Sequence, residues 1–149
     1  MHQHILIPTD GSETAQKGVS YALALAKDLG AKVTVVTVTD PYPVPGMALG
    51  AGWIPSEEEV NSYYAAQKDT AEKLLQEVKA AAKKLGVETE TVHVSEARPA
   101  DGILQTAAEH GAQLIVMASH GRRGVSRLVL GSQTAEVLAL AEVPVLVVK

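Results

Sequence analysis

Residues 4–38 read HILIPTDGSETAQKGVSYALALAKDLGAKVTVVTV, and three successive patterns in this stretch decide the fold. His4 to Pro8 is a short apolar run closed by the turn-forming cluster Thr9-Asp10-Gly11-Ser12, which reads as a strand followed by a loop. Val19, Ala22, Leu23, Ala26 and Leu29 then recur with the period of one helix face, and Gly30 stands where a left-handed residue ends a helix. Lys32 to Val38 is dense in β-branched residues and nearly apolar throughout, the composition of a strand covered on both faces.

The same alternation continues outward from this unit. Residues 40–55 hold four of the seven prolines and three glycines, so they predict a long loop rather than an element. Met47, Leu49, Trp53 and Ile54 give that loop apolar groups able to cover a site or meet a partner, or to fold onto the body of the protein. From Glu57 to Leu85 the apolar period is helical, with acidic residues at the start, lysines at the end and Gly86 beyond. Val87 to Val94 alternates apolar with polar residues, as a strand near a sheet edge does. Pro99 opens a helix to about His110, Leu114 to Met117 is an apolar strand, Ser132 to Glu142 a helix and Val143 to Val148 a last strand. The order βαβαβαβαβ predicts one α/β domain over residues 1–149: a three-layer α/β/α sandwich on a five-stranded, mainly parallel sheet, a Rossmann-like nucleotide-binding architecture. Ligands of such sheets bind at the carboxyl ends of the strands where the winding direction reverses.

Composition narrows the chemistry. The 149 residues are 46% apolar and 20% charged, ordinary for a domain that folds alone, and contain no cysteine, which excludes disulfides, thiolate metal sites and thiol catalysis. The amino terminus shows neither a leader pattern nor a membrane span, so the chain is expected in the cytoplasm. A formal net charge of −4 gives no general attraction for nucleic acid. His2 and His4 share a strand face, but no third ligand stands near them and no metal site is expected.

Two loops at strand ends can carry a ligand: Thr9 to Ser12, and Ala118 through Gly131 and Ser132. Gly131 permits close backbone approach, and Ser132 opens a helix whose free N–H groups attract a phosphate; the same two residues would also serve simply to turn the chain and cap the helix. Neither G-x-x-x-x-G-K-[ST] nor G-x-G-x-x-G after the first strand is present. Arg122, Arg123 and Arg127 form a basic cluster that is either a phosphate clamp or a solvated loop face. His120 either bonds a phosphate or is structural.

Ile5 to Ser12, Ile115 to Gly121, the Leu130-Gly131-Ser132 turn and Val143 to Val148 together resemble the universal stress proteins over the whole chain. ATP-binding members of that family carry G-x-x-G, nine residues, then G-[ST]; here the run is Ala118-x-x-Gly121, the same interval, then Gly131-Ser132. The alanine adds a methyl and removes easy access to positive φ. The resemblance implies binding of ATP or a related adenine nucleotide, with Mg²⁺ carried by the phosphates. It implies Asp10 on the ribose or adenine side with Thr9 alongside, Val38 and Met117 at the adenine, and Gly121, Gly131, Ser132, Gln133 and Thr134 around ribose and phosphates; Pro8, Ala118, His120, Arg122 and Arg123 complete the candidate site. Core packing explains Val38 and Met117 equally well. The expected output is a non-catalytic sensor or regulator in stress response, with a slow ATPase and a nucleotide-free homodimeric adaptor as the alternatives. The last strand, if at an edge, is expected to pair with a second copy, a homodimer the resemblance also implies.

Overall fold

A computed structural model describes residues 2–44, 54–120 and 129–149. Strand and helix alternate through β1 (His4–Pro8), α1 (Glu13–Leu29), β2 (Lys32–Val38), α2 (Glu57–Leu85), β3 (Thr89–Val94), α3 (Pro99–Glu109), β4 (Leu114–Ala118), α4 (Ser132–Leu140) and β5 (Val145–Val148). The last helix and the last strand are each shorter than the sequence pattern suggests: α4 ends at Leu140, because Ala141 is already extended at φ −66° and ψ 135°. The chain then turns before β5.

All five strands are parallel, in the order β3-β2-β1-β4-β5. Ile5, Ile7, Val33, Val35, Leu114 and Val116 face α1 and α2, whereas Leu6, Val36, Ile115 and Met117 face α3 and α4. This two-sided burial is why β1, β2 and β4 read as apolar runs. The edge strand β3 is only partly buried, which accounts for its alternating sequence, and β5 is partly buried at the opposite edge.

Local chemistry sets the helix ends. Ser12 accepts from the backbone N–H of Ala15 to open α1, and Ser56 with Glu59 forms a capping box for α2. Gly30 and Gly86 close those helices at φ 63° and 73°, in the left-handed region. Helix α2 has 29 residues and is about 43 Å long at 1.5 Å per residue, roughly twice the length of the strands beneath it. Its buried residues are Ala71, Leu75, Val78 and Ala82, so only the C-terminal half lies on the sheet. Tyr63 and Tyr64 hold the start of the β2–α2 connection against the other half: the Tyr64 hydroxyl accepts from Tyr42 N–H at 2.9 Å, and the rings of Tyr42 and Tyr63 meet edge to face. No helix among the described residues is long and apolar enough to cross a membrane.

Candidate functional site

From β1 the chain winds outward to β2 and β3 with α1 and α2 on one face; from β4 it winds the other way with α4 on the opposite face. The reversal lies between β1 and β4, so the carboxyl ends of these neighbours form the crevice where α/β sheets take ligands.

On the β1 side, Thr9 is 6% exposed and pinned by both backbone groups: its N–H donates to Val36 O at 2.9 Å, and its carbonyl accepts from the Thr37 hydroxyl at 2.7 Å. The Thr9 hydroxyl accepts from Gly11 N–H, and Asp10 Oδ1 accepts from Ser12 N–H at 2.9 Å. Gly11 stands at φ 77°, and a Cβ there would meet Leu74 at 3.2 Å. The turn is thus set in shape, with Asp10 half-buried at the crevice and Pro8, half-buried, ending β1.

On the β4 side, the N–H of Gly131 donates to Ser119 O at 2.8 Å, and the Thr134 hydroxyl donates to Ala118 O at 3.0 Å. These bonds seat the start of α4 on the end of β4. A Cβ at Gly131 would lie 3.0 Å from His120 Cα, tighter than side chains ordinarily come to a backbone, so the close approach favours glycine even though φ is −58°. Gly131, not Ser132, is the N-cap, so the N-cap residue itself has no side chain with which to cap α4, and Ser132 is exposed in its first turn. Ser119 Oγ lies 3.0 Å from His120 Nδ1.

Ala118 ends β4 in ordinary extended structure: among the described non-glycine residues only Glu96 has positive φ. Its methyl faces α1, where Gly18 leaves room; a Cβ on Gly18 would stand 3.1 Å from Ala118 N and 3.4 Å from Ala118 Cβ. Met117 is 6% exposed in the core beneath α3 and α4, and Val38 packs against the same core under Gly102. Both side chains are therefore engaged in packing. Gln133 is engaged too, since its side-chain oxygen accepts from Ala100 N–H at 3.1 Å and so caps α3, whose own N-cap residue, Arg98, makes no side-chain cap. Arg98 in turn grips both carboxylate oxygens of Glu136 at 2.8 and 2.9 Å. The structure therefore places Thr9 and Asp10 just after β1, and Ala118, His120, Gly131, Ser132 and Thr134 at the end of the neighbouring β4 and the start of α4, whereas Gly121, Arg122, Arg123 and Arg127 lie outside the described residues.

Sequence reasoning passed over Gly18, Thr37 and Gly102. An isolated glycine inside a helical pattern was the available signal for two of them, because it often marks a close approach.

The universal stress protein family profile matches residues 1–149. A universal stress protein of Thermus aquaticus is 37% identical over 149 residues, covering 100% of both chains. A solved structure from Methanocaldococcus jannaschii superposes with a TM-score of 0.84 at 28% identity, covering 100% of this chain and 96% of that one. A universal stress protein from Archaeoglobus fulgidus in complex with dAMP shares the fold at a TM-score of 0.65 and 24% identity, with 100% of both chains covered.

Proposed function

The chain belongs to the universal stress protein family, and from that premise we propose that it binds an adenine nucleotide, ATP foremost, in the crevice between β1 and β4. The observation that carries the reading is the seat of α4. Gly131 lets the helix start approach the Ser119–His120 backbone so closely that a Cβ would fill the space. The N-terminus of α4, whose N-cap is a glycine with no side chain to cap it, offers backbone N–H groups and the positive end of a helix dipole to a phosphate. Asp10 borders the crevice from the β1 side and suits a ribose hydroxyl, which a carboxylate accepts from. The dAMP complex of the Archaeoglobus fulgidus relative supports an adenine ligand. Mg²⁺ would arrive with ATP, held by phosphate oxygens and water, and the arginines at 122, 123 and 127 would offset the phosphate charge.

Replacement of the first motif glycine by Ala118 is no obstacle in this reading, because the residue needs no positive φ and its methyl is accommodated by Gly18. The proposed output is binding: a cytoplasmic regulator in stress response whose nucleotide state changes its partner choice. A homodimer through β5 fits the same picture. That strand is at a sheet edge, and Leu138 and Leu140 of the adjoining segment are 40% and 58% exposed.

Calorimetric titration of ligand-stripped protein with ATP, AMP and GTP, with and without Mg²⁺, tests the reading. Saturable ATP binding that is lost in Gly131→Val is the expected result. Wild-type protein that binds none of the three would overturn it and favour a nucleotide-free adaptor.

A further inference from the structure

We propose that Ser119 is a positioning residue: it holds the neutral His120 ring with its proton on Nε2, so that the ring donates one hydrogen bond to a nucleotide phosphate at the start of α4. The phosphate half of the inference rests on the nucleotide reading above, whereas the place of the proton on the ring does not.

Ser119 directly follows β4 and is pinned through both backbone groups. Its N–H donates to Val148 O at the end of β5 at 2.9 Å, and its carbonyl accepts from Gly131 N–H at 2.8 Å. With the backbone held, the side chain has only its χ1 rotamers to choose from. The residue is 7% exposed, and the 3.0 Å contact of its Oγ with His120 Nδ1 is the one hydrogen bond this hydroxyl makes among the described residues. His120 is half-buried, and its Cα and Cβ lie 3.0 and 3.1 Å from the point a Cβ on Gly131 would occupy, so the ring is rooted against the N-cap of α4. Among the described residues its Nε2 has no protein partner.

A neutral imidazole carries one proton, and the hydrogen bond made at one nitrogen decides which of the two holds it. With the proton on Nδ1, the ring donates to Ser119 Oγ, and the buried hydroxyl proton is left without an acceptor among the described residues. With the proton on Nε2, the hydroxyl donates to Nδ1 and both groups are paired. The second arrangement is therefore the one the structure favours. It matters for the ligand, because a phosphate oxygen only accepts: Nε2–H meets it with a donor, whereas the other tautomer meets it with a lone pair. Ser119 thus sets the sign of the interaction between the ring and an anion, without touching the anion itself.

The test reads the ring and the ligand separately. Nitrogen-15 NMR of the histidine rings of the full chain, without nucleotide and at mildly alkaline pH, reports the tautomer; calorimetry reports ATP affinity for wild type, Ser119→Ala, His120→Ala and the double variant. The expected results are a proton held on Nε2 in wild type and the mixture of a solvated ring in Ser119→Ala. ATP affinity is expected to fall about threefold in Ser119→Ala and about tenfold in His120→Ala, with the double variant no weaker than His120→Ala alone, since Ser119 acts through the ring. A wild-type ring protonated on Nδ1 overturns the proposal at once. A Ser119→Ala loss of the same size with and without His120 also overturns it, because Ser119 would then be merely structural. A wild-type protein that keeps the Nε2 proton yet binds no nucleotide overturns the nucleotide reading, and with it the task given to the ring.

Discussion

A Cβ at Gly18 would stand 3.1 Å from the backbone nitrogen of Ala118, a contact tight enough that β4 or α1 must yield. Gly18→Ala is therefore expected to destabilise the protein by about 1–3 kcal/mol, as overpacking does, despite the better helix propensity of alanine; urea unfolding measures it. The reverse change, Ala118→Gly, removes the methyl that Gly18 accommodates. It is expected to cost about 0.5–1 kcal/mol of stability and to leave calorimetric ATP affinity within twofold of wild type. An affinity gained from nothing in Ala118→Gly would show instead that the methyl bars the ligand.

Among the elements, α3 has the most unusual start. Its N-cap arginine leaves the capping to Gln133, which reaches across from α4. Gln133→Leu keeps the bulk and removes the acceptor, so a loss of about 1 kcal/mol is expected, typical of a lost cap, with faster amide exchange at Ala100. Gly102 presses on Val38 so closely that a Cβ would come within 2.7 Å of it; Gly102→Ala should lower the urea midpoint even though it replaces a helical glycine. These contacts also show where sequence reading stops. Strands β1, β2 and β4 announced themselves through unbroken apolar runs, and Gly30 and Gly86 marked helix ends, because those signals are local. Thr9, Asp10, Gly131 and Ser132 were legible as strand-end and helix-start residues for the same reason. Gln133 was not legible as a cap for α3, since its partner is 33 positions away and meets it only once α3 and α4 pack side by side on the sheet. The engagement of Val38 and the tolerance of Ala118 likewise depend on glycines from distant helices.

For the whole molecule, pH enters through two histidines whose pKa values lie below the usual value. His4 is lowered chiefly by burial, and His93, whose Nε2 lies 2.9 Å from the Thr39 hydroxyl, is lowered by burial with Lys68 adding to it and Glu72 opposing. The unfolded chain binds protons at these sites more readily than the folded one. Stability is thus complete above the usual histidine value of 6.5 and declines as pH falls through the lower folded values. A urea midpoint that drops from pH 7.5 to 5.5, and drops less in His93→Gln, is the expected outcome. The strand order has a kinetic side as well. β1 borders β4 at the centre of the sheet, yet Ile5 and its register partner Leu114 are separated by most of the chain. During synthesis β1, β2 and β3 can assemble with α1 and α2 before β4 exists, leaving the inner border of β1 unpaired beside a bare apolar face. A nascent chain of this length is then a half-sheet with an open, sticky edge, and its yield in the cell will depend on how quickly translation delivers the second half or a chaperone shields the first.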